Sequence, residues 1–390
     1  MSAIPFVVRV RALRGKTVQT IDPRVHSRLP SLTGMRFAAA LMVFLCHVAD
    51  SRIFSAQGIS DALPKFVSQL GFVGVSFFFI LSGFVLTWTA RANDTRRAFW
   101  RRRLVKIYPN HFVTMVIALG FMAAAGTVTL VDTFPSVLLV QAFIPQESAA
   151  FYANGVSWSL CAELVFYLSF PVLLPLVNRI RPERLWLWAG ILVASIGLIA
   201  VIAQVFPDQP NISYYPIPWY KYWFVYTLPI TRIPEFLLGI VMARIVLTGR
   251  WIPLSLGKAL LLLIPGYALT ITLPDVYGMV LPCALPLALI VAAGAVADVQ
   301  GHRSPFRNRV AVWLGEISFA FYMVHLLVLM HGPMSAGTFQ TWDVPAALGI
   351  IAVSLGMCVF AAWLLYALVE RPIMRRFSKP RPRVKQVATV

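Results

Sequence analysis

Arg36 and His47 stand inside an otherwise apolar run, LTGMRFAAALMVFLCHVADS (32–51), and an ionisable pair at membrane depth is by default a functional site. They are eleven positions apart, which on a helix is about three turns plus 20°, so both side chains share one face about 16 Å apart along the axis. A cation and an acid–base group can therefore line one cleft. Glu163, Arg232, Glu235 and His325 also fall in apolar segments. Counted inward from the outer ends of their spans, His47, Glu163, Arg232, Glu235 and His325 lie in the middle or outer half, and Arg36 lies near an inner end. The layout predicts a polar path with a cationic entrance at the cytoplasmic side and acid–base groups nearer the outside. Plainer readings compete. Arg232 and Glu235, one helical turn apart, can satisfy each other, and Glu163 can pair with Arg232. His325, with Tyr322 on the same face, can serve interhelical packing. Arg36 can snorkel to the interface.

Such groups need a scaffold built for a bilayer. Of 390 residues, 59% are hydrophobic and 13% charged, and the mean hydropathy is +0.75, outside the range of soluble domains. Apolar stretches long enough to cross about 30 Å of hydrocarbon fall near 33–52, 70–90, 110–129, 156–178, 185–206, 224–247, 257–273, 277–297, 311–331 and 346–369. The expected fold class is an all-α polytopic membrane protein with about ten transmembrane helices. The seventh span is short. Pro229, Pro234, Pro282 and Pro286 interrupt the sixth and eighth, whose freed backbone groups need partners on neighbouring helices.

With the N-terminus inside, the cytoplasmic side collects the basic tail, the run Arg91 to Lys106, Arg179/Arg181/Arg184, Arg244/Arg250/Lys258, Arg303/Arg307/Arg309 and the C-terminal tail; the outside keeps Arg52, Lys65 and Lys221. That asymmetry predicts that both termini are cytoplasmic. The net charge of +19 is then mostly topogenic and argues for no nucleic-acid partner. No short apolar signal region precedes residue 31, so the first span is expected to insert as an uncleaved anchor. The expected organisation is a basic cytoplasmic tail over 1–30, a transmembrane domain over 31–372 and a second basic cytoplasmic tail over 373–390.

Cys46, Cys161, Cys283 and Cys358 lie singly in apolar segments, without metal-ligand spacing, so no metal site is expected. Cys46 adjoins His47, but adjacent helical residues point about 100° apart, which disfavours an acyl-cysteine intermediate. Most arginines of 91–106 read as topology signals or contacts to anionic membrane lipids. Glu316 and Glu370, near the inner ends of their spans, are placed to pair with basic loops. The aromatic cluster ISYYPIPWYKYWF (212–224) reads first as an interfacial belt and second as a sugar-stacking platform. Residues 132–155 are a candidate segment for re-entry into the membrane.

The same residues sit in an ordered set of strings. RFAAALMVFLCH (36–47) is similar to the Arg, ten residues, His signature of the acyltransferase 3 family of integral membrane O-acyltransferases. GFVGVSFFFILSGFVLTW (71–88) resembles that family's second span and FWRRRLVKIYPNHF (99–112) its basic cytoplasmic motif. WSLCAELVFYLSFP (158–171), RIPEFLLGI (232–240), LGEISFAFYMVH (314–325) and VERP (369–372) resemble further blocks in the same order, and the likeness covers roughly residues 30–375. The family motif is usually Arg-x-x-Arg, where this chain has Arg103-Leu-Val-Lys106. Lysine keeps the charge and loses the bidentate fork.

The resemblance implies transfer of an acyl group, commonly acetyl, from cytoplasmic acyl-CoA to a sugar hydroxyl, often one presented outside the membrane. Acyl-CoA, acetyl-CoA or a short-chain homologue, would be a cosubstrate, with no permanently bound cofactor. Arg103 and Lys106 are the candidate cofactor-binding residues, meeting the CoA phosphates. The candidate catalytic residues are His47 as general base, Glu163 orienting it as in a catalytic triad, and Arg36 holding the pantetheine or a phosphate. Arg232, Glu235, Tyr322 and His325 are the candidate substrate-binding residues. The expected location is the bacterial cytoplasmic membrane, multi-pass. The cations comprise 27 Arg and 7 Lys, the pattern of a GC-rich genome. Family members in such genomes modify both cell-surface glycans and secreted natural products such as macrolides; a glycan acceptor is placed slightly ahead. A transporter is the rival class, and the absence of a second copy of the Arg36/His47 pattern weighs against it.

Overall fold

The computed structural model describes residues 8–11, 18–21, 28–91, 94–212, 217–335 and 340–377. Tyr214 and Tyr215 of the aromatic cluster, and most of both tails, lie outside the described residues. A short antiparallel pair, Val8–Arg11 with Val18–Ile21, precedes the helices. Twelve helices then form the body: α1 Pro30–Asp50, α2 Gln57–Val67, α3 Leu70–Trp88, α4 Arg96–Ala124, α5 Leu130–Leu138 and α6 Trp158–Asn178. After these come α7 Leu185–Ile202, α8 Ile233–Leu247, α9 Leu256–Thr272, α10 Leu281–Val299, α11 Arg309–His331 and α12 Val344–Leu365. Apart from that strand pair the described residues form an α-helical, polytopic body.

Eight helical stretches among the described residues are long and apolar enough to cross a membrane. The two expected spans not among them are 224–247 and 257–273. The second is α9, an apolar helix of 17 residues. The first is broken: Trp223–Thr227 forms a π turn, Leu228 is extended at ψ 121°, Pro229–Arg232 forms a 3-10 turn, and only then does α8 begin. Pro229 has no N–H to give to the preceding turn, and its ring disfavours a helical Leu228. The carbonyls freed by the break find side chains instead. Thr231 Oγ1 donates to the carbonyls of Phe224 (2.6 Å) and Leu228 (2.8 Å), and Arg232 donates to that of Tyr226 (3.0 Å). Residues 132–155 run from α5, which lays Leu130, Val131 and Phe134 outward, into a series of short turns.

Glycines set how the central helices meet. A Cβ on Gly83 of α3 would lie 2.0 Å from the Phe236 carbonyl oxygen, and one on Gly239 of α8 would lie 1.9 Å from that of Ile80. The two backbones therefore touch, the small-residue packing that membrane helices use in place of a hydrophobic driving force. Gly315 of α11 meets the Thr33 carbonyl in the same way, at 1.9 Å, fastening α11 to α1. The start of α1 is closed by Asp298 at the end of α10, which accepts from Ser31 N (2.8 Å) and Ser31 Oγ (2.6 Å). Exposed Leu198, Leu261, Ile264 and Phe360 give the outer helices apolar outer faces, while α3, α8 and α10 are largely buried. The helices carrying Arg36, His47 and His325 thus stand in a tightly held centre.

Candidate functional site

A cavity of about 100 Å³ opens between α1, α3, α4, α6 and α11. Its polar lining is Arg36 from α1, Lys106 from α4, Ser159, Glu163 and Tyr167 from α6, and Tyr322 from α11. The α6 residues recur at i, i+4 and i+8, so one face of that helix supplies all three. Val75, Phe78, Phe79, Ile107 and Phe319 make the rest of the wall apolar.

Glu163 accepts from Ser82 Oγ at 3.1 Å, faces the Tyr167 hydroxyl, and lies within electrostatic reach of Arg103 and Arg36. Arg103 lies over the rings of Phe99 (5.5 Å) and Tyr167 (6.0 Å). Lys106 lies 5.5 Å over Phe319 and pairs with Glu370, which also accepts from Asn110 Nδ2 at 2.6 Å. The basic string 99–112 and the VERP string 369–372 are therefore joined by a buried carboxylate, 2% exposed.

At the far end of α1 a second group assembles. The rings of His47 and His325 lie 5.3 Å apart, tilted by 31°. His325 Nδ1 is 2.7 Å from the Tyr322 carbonyl oxygen, and the Tyr322 ring is 5.6 Å from that of His325. The Tyr322 hydroxyl in turn contacts Ser159 Oγ (2.8 Å) and the Val156 carbonyl (3.2 Å). Tyr322 thus belongs both to the cavity wall and to the histidine pair, and it joins the two groups.

The acidic group beside His47 is Asp50, three residues on along α1. A His47 ring nitrogen, Cys46 Sγ and an Asp50 oxygen lie within 4.8 Å of one another. Asp50 accepts from Ser68 Oγ and from Cys46 Sγ (3.5 Å), so its oxygens are already engaged by hydroxyl and thiol. Cys46 is pressed against Gly71, where a Cβ would lie 2.6 Å from its sulfur. The sequence suggests Glu163 as the group that orients His47; in the fold Glu163 lines the cavity with Arg36 and Lys106, and His47 is not among the cavity's lining residues. The i, i+3 spacing of His47 and Asp50 was the available signal, masked because Asp50 falls among polar residues at the helix end.

Arg232 and Glu235 are 0% and 1% exposed and close on each other, Nε to Oε2 at 2.5 Å and an Nη2 to Oε1 at 3.0 Å. Arg232 also donates to Ser76 Oγ (3.2 Å) and lies over the rings of Tyr226 (4.6 Å) and Phe79 (5.0 Å). Neither residue lines the cavity, and Glu163 forms no ion pair with Arg232 among the described residues. Of the four residues expected to bind substrate, the fold places Tyr322 on the cavity wall and His325 against His47. The other two brace the broken segment before α8.

A family profile described as acyltransferase domain matches residues 29–367, a range that takes in all twelve helices. The chain is 40% identical over 373 residues to the acyltransferase MdmB of Streptomyces mycarofaciens, covering 93% of this chain and 95% of that relative. It is 27% identical over 362 residues to nodulation protein 10 of Rhizobium leguminosarum bv. viciae, covering 85% and 90% of the two chains. It is 24% identical over 399 residues to a putative O-acetyltransferase of Staphylococcus aureus strain COL, covering 90% of this chain and 58% of that relative. No solved structure matches.

Proposed function

The chain belongs to the family defined by that acyltransferase domain and is a multi-pass membrane acyltransferase; on that premise we propose that it transfers a short acyl group, acetyl or a near homologue, from cytoplasmic acyl-CoA to a hydroxyl of a sugar. The observation that carries this reading is one polar route through an apolar bundle, with Arg36 and Lys106 in a cavity whose wall residue Tyr322 also touches the His47/His325 pair.

The chemistry follows the route. CoA phosphates need cations, and Arg103 and Lys106 stand near the start of α4, whose first turns are rich in arginine. The slim pantetheine arm passes Arg36 and brings the thioester toward Tyr322 and the His47/His325 pair. His47 takes the proton of the acceptor hydroxyl as its oxygen attacks the thioester carbonyl carbon. The carbon–sulfur bond breaks, the thiolate leaves, and the proton held on His47 passes to it. Asp50, with an oxygen within 4.8 Å of a His47 nitrogen and lone pairs beyond those that Ser68 and Cys46 use, steadies the imidazolium, the part first expected of Glu163. Glu163, between Arg36 and Arg103, balances the cations of the entrance. The positive-inside asymmetry supports cytoplasmic termini and a bacterial cytoplasmic membrane as the location.

The sugar belongs to a surface glycan, or alternatively to a secreted natural product, and one experiment separates the two. Mass spectrometry of extracted glycans and secreted small molecules is compared between cells carrying wild type, His47→Ala or no protein. An acyl increment found only with wild type identifies the acceptor pool. Transfer by His47→Ala at the wild-type rate removes the base assignment, and no acyl difference in either pool removes the reading.

A further inference from the structure

His325 is wholly buried, and the contact of its Nδ1 with the Tyr322 carbonyl sets its chemistry. A carbonyl oxygen only accepts, so the neutral ring carries its hydrogen on Nδ1 and presents a bare lone pair at Nε2. That Nε2 is itself buried and has no hydrogen-bond partner among the described residues. A buried acceptor without a donor destabilises the protein that holds it, and it favours any ligand that brings one.

The hydroxyl and thiol donors around the pair are committed. The Tyr322 hydroxyl is engaged with Ser159 and the Val156 carbonyl, the Ser68 hydroxyl with Asp50, and the Cys46 thiol with Asp50. Phe321 closes one side of the ring, stacked at 6.1 Å and 9°, and His47 stands on another at 5.3 Å. The orphan nitrogen therefore belongs to a sealed ring packed against His47, whose own ring is half-buried.

We propose that His325 Nε2 receives a second donor of the acceptor, on the carbon next to the hydroxyl that His47 deprotonates, so that the enzyme selects vicinal diols and vicinal amino alcohols of sugar rings. The inference rests on the reading that His47 acts on the acceptor hydroxyl. Two imidazoles with centres 5.3 Å apart can each accept at about 2.7–3.0 Å from adjacent ring substituents, which themselves lie about one hydrogen-bond length apart. One nitrogen takes a proton, and the other only holds a hydrogen bond. Selection then arises because an acceptor lacking the neighbour leaves Nε2 unpaired in the transition state, the situation in which polar sites discriminate most strongly.

The test uses the full-length protein in nanodiscs with acetyl-CoA, offered methyl hexopyranosides and their monodeoxy analogues. For wild type, kcat/KM is expected to fall by about 100-fold or more when the neighbouring hydroxyl is removed. In His325→Phe the diol and deoxy acceptors should come within about threefold of each other, because the diol loses its advantage. His325→Gln, whose Oε1 stands near the place of Nε2, should recover part of the preference. The ratio is internal to each variant, so a smaller folded fraction does not alter it. A wild type indifferent to the neighbouring hydroxyl, or a His325→Phe that keeps the full preference, overturns the proposal while leaving His47 as base untouched. A wild type that acylates none of the glycosides overturns this proposal together with the reading it rests on.

Discussion

Glu235→Ala distinguishes a brace from a binding site. Glu235 accepts two charge-assisted bonds from Arg232, at 2.5 and 3.0 Å, and both side chains are essentially sealed from solvent. Removing the carboxylate leaves a guanidinium held by the Tyr226 carbonyl and the Ser76 hydroxyl, with no counter-charge. Breaking one side of a buried pair costs about 3–5 kcal/mol, more than either hydrogen bond alone accounts for. Removing both partners together is milder, so Arg232→Met with Glu235→Leu should recover more than half of the loss. The thermal midpoint in detergent, followed by size-exclusion fluorescence, reads the stability. Initial rates per folded molecule at varied acyl-CoA and acceptor read the function. The single variant should be strongly destabilised, yet its surviving molecules should keep both KM values within about twofold, because neither residue lines the cavity. A stable Glu235→Ala protein whose KM for the acceptor rises tenfold would refute the brace and restore Arg232 and Glu235 to the substrate.

Asp50→Asn should lower kcat by about 100-fold or more with little change in either KM, since it alters how His47 is held and not what the cavity binds; steady-state kinetics on purified protein checks this. Lys106→Met should destabilise the protein by leaving Glu370 unpaired, and Lys106→Met with Glu370→Gln should restore the melting temperature without restoring affinity for acyl-CoA, measured by equilibrium binding. Gly239→Val should abolish folded protein on size-exclusion, since even its Cβ would fall 1.9 Å from the Ile80 carbonyl oxygen, and backbone cannot step aside as a side chain can.

The bundle was legible from hydropathy because a bilayer leaves little choice: long apolar runs must be helices that satisfy their own backbones. The count of spans was less so. Pro229 announced a break in 224–247, but whether a proline kinks a span or ends it depends on which side chains reach the freed carbonyls, and only the fold brings Thr231 and Arg232 there. Arg36 and His47 were readable as a pair because one helix carries both. The surroundings of Glu163 were harder to read, for the opposite reason. Depth along separate helices does not fix which neighbours a side chain meets, and the roll of α6 turns it to Arg36. Asp50 needed only local spacing, yet hydropathy treats a polar residue at a helix end as punctuation. The glycines of the second-span and R.PEF strings acquire a physical reason at the α3–α8 contact, where nothing larger than hydrogen fits.

Tyr322 serves the two groups through different parts of itself. Its hydroxyl faces the cavity and depends on the residue being tyrosine, while its carbonyl, which fixes His325, belongs to the main chain. Every amino acid carries that carbonyl, so no substitution at 322 that keeps the helix can shift the hydrogen on His325 from one nitrogen to the other. The tautomer of His325 is written into the course of the backbone, whereas the polar lining of the cavity is written into side chains. Evolution can therefore revise which acyl group enters this enzyme without reopening the question of where its protons reside.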